Sequence, residues 1–462
     1  MVGLCKRHYK AYYEALQWFR CFLPPAEPRA FIAAWRLASF GAMPKPNRSV
    51  IALTLGLVGL ASTLGAQSTA QGVALLNDVR FLADDGLGGR LIGSPGADSA
   101  ARYLARRFRA SGLRPAPGGW FQVFTVASDA PAAHHAGIGG ATGRNVVGVL
   151  PGRDPDLRNE IVVVGAHYDH LGPGHFGSLD PDSAGRVHNG ADDNASGVSA
   201  LIHIARGLAA TPPGRTVVFI AFSGEEAGLL GSDYYVKNPI FPLARTYAMV
   251  NLDMVGRLRS DRLLVFGTAT ATEFDGILDS LNALARFDLK SSGDGWGRSD
   301  QSSFYAAGKP VLHLFTDLHE DYHRTTDDWE KINVDGLERV AEFTAAIVRT
   351  LADRRAPLTF VNVPPPAPVA GAGYGAYLGT VPDMSENPGG VRLTGVRAGS
   401  PAEKAGLKGN DIIVQIGESP VPDLQAMTNA LREHKPGDVV EVRFMRDGVE
   451  QRVSVTLGTR GG

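Results

Sequence analysis

Cysteine is scarce in this chain of 462 residues, where it occurs only at Cys5 and Cys21. Two cysteines cannot form a disulfide framework, and their spacing matches neither a zinc knuckle nor a redox pair. Any bound metal must therefore be held by histidine and carboxylate side chains. An excess of either charge is also lacking, because 46 Lys and Arg stand against 47 Asp and Glu. The balance gives no global reason to expect nucleic acid as a partner.

The first segment, residues 1–66, predicts an export signal behind an upstream extension. Met43 to Arg48 is basic, and Val50 to Ala66 is uncharged and ends in small residues, as signal peptides do. We expect cleavage near Ala66, export to the periplasm or the extracellular space, and no stable membrane anchor afterwards. The alternative is an uncleaved anchor, although the apolar run is at the short limit for a bilayer span. Met43 is a second candidate for the translation start.

Residues 67–355 alternate apolar runs with amphipathic stretches, which predicts an α/β domain with a mostly parallel central sheet flanked by helices. Amphipathic spacing predicts helices over 98–111, 196–209 and 335–352. The apolar runs predict buried strands at 161–165, 217–222, 247–252, 263–266 and 311–315.

A proline- and glycine-rich stretch, residues 356–373, predicts a linker between two domains. The segment after it, 374–460, has the size of a small second domain.

Acidic and imidazole side chains follow the predicted strands where each strand stops being apolar. In an open parallel sheet the carboxyl ends of the strands converge on the ligand-binding edge. Histidine and carboxylates without cysteine suit zinc or another borderline metal, and the surplus of carboxylates suggests two ions. The side chains are His167 and Asp169 after the first strand, Glu225 and Glu226 after the second, and Asp253 after the third, with further polar segments at 189–197 and 319–327.

Across residues 75–352 the sequence resembles the dizinc exopeptidases, a family that includes secreted bacterial leucyl aminopeptidases. Glutamate carboxypeptidase, glutaminyl cyclase and the transferrin-receptor ectodomain are relatives in the same family. The resemblance implies the zinc exopeptidase fold and a peptidase that acts on peptide substrates. It rests on the motifs GRLIGSPG at 89–96, GAHYDH at 165–170, GADDNASG at 190–197, SGEEAGLLG at 223–231, NLDM at 251–254 and YHRTTD at 322–327.

The resemblance also implies a ligand set for two zinc ions. Asp193 would bridge both ions, with a cis peptide bond after it. His167 and Asp253 would complete one ion, and Glu226 and His323 the other. His319 competes with His323 for the last position, and the Thr-Thr-Asp after His323 favours His323.

Two catalytic roles and two substrate contacts are expected around these ligands. Glu225 would be the general base, and Asp169 would orient the imidazole of His167. Ser299-Asp300-Gln301 matches a family segment that often reads Ser-Asp-His and shapes the substrate pocket, so Gln301 is a candidate substrate contact. Tyr322 is a candidate hydrogen-bond donor to the tetrahedral intermediate. We expect no ligand role for His170, His175 or His188.

The C-terminal segment resembles a PDZ domain of the bacterial protease type, which is small and β-rich. The resemblance rests on GAYLG at 375–379, on 396–407 and on 410–417. PDZ domains bind extended peptides at a sheet edge. The resemblance implies that the loop Tyr377-Leu378-Gly379 holds the C-terminal carboxylate of a peptide ligand. The alternative is a spacer that packs on the first domain.

Three classes of function follow from these patterns. A secreted metal-dependent aminopeptidase is favoured. A carboxypeptidase, dipeptidase or glutaminyl cyclase of the same fold is the second class, although a one-zinc cyclase would not need all five ligands. A non-catalytic peptide-binding or scaffold protein is the third, and the retained ligands and base argue against it.

Overall fold

The computed structural model describes the chain from residue 70 onwards with short gaps. The described residues are 70–128, 136–180, 183–296, 299–363, 376–382, 389–397, 399–422, 426–427, 430–431 and 433–458. The chain divides into two units, 1–66 and 67–462. The predicted export signal lies outside the described residues.

A nine-stranded sheet forms the centre of the first part of the described chain, in the order β1-β3-β5-β4-β6-β9-β7-β8 with β2 beside β3. Its middle strands β5, β4, β6 and β9 are mutually parallel, and the antiparallel pairs β3/β5 and β9/β7 flank them. The strands are β1 Arg114–Pro115, β2 Phe121–Thr125, β3 Thr142–Leu150, β4 Ile161–His167, β5 Thr216–Phe222, β6 Thr246–Leu252, β7 Arg262–Phe266, β8 Asp288–Ser292 and β9 Val311–Phe315.

The parallel middle of the sheet consists of the apolar runs that the sequence predicts as strands. Every residue of β4 and of β9 is buried, as expected for strands covered on both faces. The prediction of a mostly parallel central sheet is confirmed for this middle, while both of its sides are antiparallel. The hydrophobic pattern could not show this, because it reports burial and not strand direction.

Helices pack on the sheet and confirm the three predicted from amphipathic spacing. Two of these three begin at side-chain caps: Ser94 accepts a hydrogen bond from the Ala97 N–H, and Asn333 accepts one from the Gly336 N–H. The helices are α1 (70–82), α2 Pro95–Ala110, α3 Gly197–Ala210, α4 Leu230–Lys237, α5 Phe274–Ala285, α6 Gln301–Ala306 and α7 Val334–Asp353.

The first residues of the predicted linker are hydrogen-bonded to the first domain. The Val361 N–H donates to the Thr270 carbonyl, and the Val363 N–H donates to the Tyr305 hydroxyl at 2.6 Å. The rest of the predicted linker, 364–373, is outside the described residues, as are the next two residues, 374 and 375.

The C-terminal part contains a second, antiparallel sheet around its own apolar core. The sheet is six-stranded, in the order β10-β11-β12-β14-β15 with β13 beside β12. This confirms the predicted β-rich second domain. Its elements are β10 Thr380–Pro382, β11 Val391–Val396, α8 Pro401–Lys404, β12 Ile412–Ile416, β13 Ser419–Pro420, β14 Val439–Arg446 and β15 Val449–Thr456.

Within the described residues, no helix combines the length and apolarity that a membrane span requires.

Candidate metal centre

The predicted ligands meet at the carboxyl edge of the parallel strands. His167 is the last residue of β4, and Asp253 directly follows β6. Glu226 lies just beyond β5, and His323 lies in the connection after β9. Because parallel strands bring their carboxyl ends to one edge, residues far apart in sequence become neighbours there.

Asp193 lies between the two histidines and faces one with each carboxylate oxygen. Its Oδ1 is 3.3 Å from His167 Nε2, and its Oδ2 is 3.2 Å from His323 Nε2. Asp193 belongs to the irregular helical turn Ala191–Ser196, and the Asp193–Asn194 peptide bond is cis, as the resemblance implies. The Asp193 carboxylate therefore lies between the two imidazoles, with one oxygen toward each Nε2.

Each histidine has a second carboxylate beside the same nitrogen. Asp253 Oδ1 is 3.4 Å from His167 Nε2, and Glu226 Oε2 is 3.1 Å from His323 Nε2. One ring N–H cannot satisfy two carboxylates well, whereas a cation between the three atoms can. Ligand atoms bonded to tetrahedral zinc at about 2.0 to 2.1 Å lie about 3.3 to 3.4 Å apart. The donor set and its spacing therefore fit zinc at both positions.

The other ring nitrogen of each histidine contacts a backbone carbonyl. His167 Nδ1 is 3.2 Å from the Asp169 carbonyl oxygen, and His323 Nδ1 is 2.9 Å from that of Gly177. These contacts place the ring proton on Nδ1 and leave the Nε2 lone pair of both rings for a metal.

Without a metal, the carboxylates concentrate protons on the imidazoles. Burial alone would lower the pKa of His167, but Asp253 and Glu225 outweigh it and raise that pKa well above its usual value. Burial is also outweighed at His323, whose pKa is raised well above normal by Glu226 and Asp193. The pKa of Asp193 lies well below its usual value because hydrogen bonds from both histidines outweigh burial. Zinc binding must displace protons from this cluster.

Glu225, the predicted general base, lies at the edge of the centre. Its Oε2 is 3.9 Å from His167 Nε2. Burial raises its pKa well above the usual value, and Asp253 adds to the rise while His167 opposes it. A carboxyl group with a raised pKa is suited to hold a proton during catalysis.

Asp169, which is predicted to orient the imidazole of His167, lies beside that ring. The carboxylate Oδ1 is 3.8 Å from His167 Nδ1, too far for a hydrogen bond, and the backbone carbonyl of Asp169 contacts the ring instead. The carboxylate accepts the Glu225 N–H at 3.1 Å. The Asp169 carboxylate therefore positions Glu225, the predicted base, while the Asp169 carbonyl faces the ring of His167, a predicted metal ligand.

His170, for which the sequence predicts no ligand role, contacts Glu226, one of the predicted metal ligands. Its Nδ1 is 2.6 Å from Glu226 Oε1, leaving Glu226 Oε2 for His323. Burial and Asp193 would raise the pKa of Glu226, but His323 and His170 outweigh them and lower it to about 2. This role was not predicted from the sequence. The position of His170 in the GAHYDH motif, three residues after His167, was the available signal.

His319 and Asp327 hold the backbone that carries Asp193. His319 Nε2 is 3.2 Å from Asp192 Oδ2, so His319 pairs with the neighbour of the bridging residue and not with the centre. Asp327 Oδ2 accepts the N–H groups of Asp192 and Asp193 at 2.9 and 3.0 Å. The Thr-Thr-Asp motif pointed to His323 but did not reveal this role of Asp327.

The two predicted substrate contacts, Gln301 and Tyr322, have different neighbours. Gln301 is buried at the start of α6, where its Oε1 accepts from Asn251 Nδ2 at 3.2 Å. Tyr322 stacks on the ring of His323, with centroids 3.9 Å apart. Burial raises the pKa of Tyr322 well above normal, so the phenol keeps its proton as a donor must.

The predicted carboxylate-binding loop of the second domain lies directly before the edge strand β10. The Tyr377 N–H donates to the Gly458 carbonyl at 2.8 Å and is not available for a ligand. Leu378 is buried, and its carbonyl accepts the Ala402 N–H. Gly379 has φ of 84°, and a Cβ on it would lie 2.2 Å from Ser400 Cβ. The loop is therefore tightly held and requires glycine at its end.

An α/β sheet with a parallel middle and with histidines and carboxylates at its carboxyl edge is typical of a metal-dependent enzyme. The comparisons with known proteins narrow this class. Residues 145–348 match peptidase family M28, and residues 376–457 match the PDZ domain. One segment of the chain is thus similar to M28 peptidases, and a later segment is similar to PDZ domains.

Curated relatives include two bacterial enzymes. Aminopeptidase YwaD of Bacillus subtilis (strain 168) is 30% identical over 230 residues, which is 47% of each chain. Leupeptin-inactivating enzyme 1 of Streptomyces exfoliatus is 26% identical over 302 residues, which is 60% of each chain. The chain therefore spans about half to three fifths of the length of these relatives.

Solved structures of similar fold include an aminopeptidase from Aneurinibacillus sp. strain AM-1, with a TM-score of 0.48 and 18% identity over 64% of this chain and 96% of that chain. A Zn-dependent exopeptidase from Parabacteroides distasonis ATCC 8503 has a TM-score of 0.49 and 20% identity over 62% of this chain and 98% of that chain.

Proposed function

We propose that the protein is a zinc-dependent exopeptidase that uses two zinc ions to remove N-terminal residues from peptides. The observation that carries the proposal is the position of Asp193, whose two oxygens each face the free nitrogen of a different histidine. One zinc ion would be held by His167, Asp193 and Asp253. The other would be held by Asp193, Glu226 and His323.

Two zinc ions held by these residues would supply Lewis-acid polarisation of a substrate carbonyl and a hydroxide-like nucleophile near neutral pH. Glu225 accepts the proton of the attacking water and returns it to the departing amine. Asp169 holds the backbone of Glu225, and His170 holds Glu226 in the orientation that faces His323. Tyr322 donates its hydroxyl proton in a hydrogen bond to the oxyanion of the tetrahedral intermediate.

The similarity to an aminopeptidase of Bacillus subtilis supports an aminopeptidase over the alternatives within the fold. A carboxypeptidase or dipeptidase would act on the other end of a peptide at the same centre. A one-zinc cyclase would not require His167 and Asp253 beside the other three ligands.

Hydrolysis of aminoacyl amides and their N-acetylated counterparts tests the proposal, with and without a chelator. We expect cleavage of the free-amine series only, loss with the chelator, and recovery with zinc. Equal cleavage of the acetylated series would refute an aminopeptidase but not a metallopeptidase. Zinc content gives a separate test: two ions per wild-type chain, one after Asp253→Ala, and fewer than one after Asp193→Ala.

For the second domain we propose binding of peptides through their C-terminal carboxylate. β10 is bonded to β11 alone among the described strands, so its other edge is open for strand addition. The loop 377–379 precedes this edge, as the proposed carboxylate site requires. A fluorescent peptide with a free C-terminus should bind, and its amidated form should not.

We also propose export with cleavage near Ala66, based on the apolar segment Val50–Ala66 and the basic stretch before it. N-terminal sequencing of the protein recovered from the periplasm or medium tests this. A mature chain that begins at Gln67 supports it, whereas a membrane-bound chain that retains the segment supports the uncleaved anchor.

A further inference from the structure

Arg90 is a buried arginine that lies beside the candidate metal centre without serving as a ligand. Its relative exposure is 1%, and it ends the short helical turn Asp85–Arg90. All hydrogen bonds described for its guanidinium go to backbone carbonyls. Nε donates to Tyr168 at 2.7 Å, Nη1 to Asn189 at 2.6 Å and also to Leu82, and Nη2 to Gly190 at 3.0 Å.

Three of these carbonyls, those of Tyr168, Asn189 and Gly190, belong to the two segments that deliver ligands to the centre. Tyr168 directly follows His167 at the end of β4. Gly190 directly precedes the turn Ala191–Ser196, which carries the bridging Asp193. One rigid side chain therefore connects the segment of the first histidine to the segment of the bridging carboxylate.

The charge of Arg90 persists in this environment. Burial lowers its pKa to about 10, against the opposing effect of Asp169, Asp193, Asp327 and Glu226. The guanidinium therefore remains protonated at neutral pH and keeps all of its donors. A planar fork with five N–H groups can reach carbonyls in several directions, which the three donors of a lysine ammonium cannot reproduce.

The backbone on which Arg90 is mounted is also held closely. Gly172 N–H donates to the Gly89 carbonyl at 3.0 Å. Gly89 has φ of 71°, and a Cβ on it would lie 2.5 Å from the His188 carbonyl oxygen and 2.6 Å from that of Gly172. The turn is thus packed against the same two segments that the guanidinium connects.

We propose that Arg90 is a positioning residue that sets the spacing between His167 and Asp193 and thereby the zinc affinity of the centre. The inference rests on the proposed zinc site. It does not require Arg90 to contact zinc or substrate.

The test compares zinc affinity in Arg90→Lys, Arg90→Met and Arg215→Met, measured by competition with a chromogenic chelator. Arg215 is the control because it is also 1% exposed and donates to the backbone carbonyls of Leu351 and Arg354, in addition to the Glu160 carboxylate. It precedes β5, at the end of the sheet opposite the centre. We expect both Arg90 variants to bind zinc at least tenfold more weakly, a loss of roughly the size seen when groups that orient metal ligands are removed.

Arg215→Met should lower the melting temperature. It should leave the zinc affinity within about twofold of the wild-type value, because a substitution far from the zinc site has only a small effect on that site. The absorption spectrum of the Co²⁺-substituted protein gives a second readout, in which Arg90→Lys should shift the d–d bands and Arg215→Met should not. Arg90→Lys carries the test if Arg90→Met does not fold.

Wild-type zinc affinity and an unshifted cobalt spectrum in Arg90→Lys would overturn the inference while leaving the proposed function intact. A wild-type chain that binds no zinc would overturn the proposed function and the inference with it.

Discussion

His323 Nδ1 donates to the backbone carbonyl of Gly177 at 2.9 Å, and the Leu179 N–H donates back to the His323 carbonyl at 2.9 Å. The loop 171–188 therefore holds His323, one of the proposed zinc ligands, from two sides. Because the first bond fixes the ring proton on Nδ1, the loop also determines which nitrogen faces the metal.

His188 anchors this loop, which leads to the first prediction. Its ring is fully buried, with Nδ1 3.0 Å from the Arg186 carbonyl oxygen and Nε2 2.9 Å from the Ser178 hydroxyl. Removal of the ring by His188→Ala should loosen the loop around His323. The affinity for the zinc ion that His323 would hold should then fall about tenfold. Stepwise chelator titration, which resolves the two ions, measures the effect.

His175 provides the control because it is exposed in the same loop. His175→Ala should leave both zinc affinities unchanged. Equal affinities in wild type and His188→Ala would show that the loop only covers the centre.

The second prediction concerns pH. The pKa values of His167 and His323 are raised well above normal in the metal-free protein, because neighbouring carboxylates outweigh burial. Groups with raised pKa stabilise the folded apoprotein fully below their ordinary pKa of about 6.5, and this stability is lost as pH rises through the raised values. The melting temperature of the apoprotein should therefore fall with rising pH above about 6.5.

Zinc affinity should rise over the same range, because zinc competes with those protons. Calorimetry in buffers of different ionisation enthalpy should show proton release on binding. A pH-independent affinity with no released proton would contradict the assignment of the two imidazoles as ligands.

Much of this centre could be predicted because its ligands occur in short motifs next to strongly apolar strands. Burial and strand order explain why His167 and Asp253 converge. The supporting contacts could not be predicted in the same way. Arg90, His170 and Asp327 act through backbone groups or through another side chain, so their partners depend on how distant segments pack.

Strand direction was equally hidden from the sequence. β7 is as apolar as the parallel strand β9 with which it pairs, yet it runs antiparallel to β9. The role of Asp169 also depended on a detail of backbone geometry, since its carbonyl and its carboxylate both lie near His167.

The third prediction concerns the PDZ domain. Gly379→Ala should distort the loop before β10, because the added Cβ would meet Ser400 at a backbone conformation that favours glycine. Binding of a peptide with a free C-terminal carboxylate should weaken at least about tenfold, a loss of roughly 1.4 kcal/mol. Gly395→Ala in β11 is the control, because its Cβ would have nothing within 4 Å. Fluorescence anisotropy on the full chain compares the two variants, and equal losses would contradict a specific role of the loop.

The fourth prediction tests Glu225 as the general base. Glu225→Gln keeps the shape of the side chain but cannot accept the proton of the attacking water, so kcat should fall by about 10² to 10⁴. The ligands are untouched, and zinc content should remain at two ions per chain. Glu320→Gln is the control, because Glu320 is exposed in the loop that carries His323. It should retain wild-type kcat. Undiminished turnover by Glu225→Gln would show that Glu225 is not the base. Glu225 also forms a candidate metal-binding group with His167 and Asp253. Loss of zinc in Glu225→Gln would therefore show that Glu225 acts as a ligand.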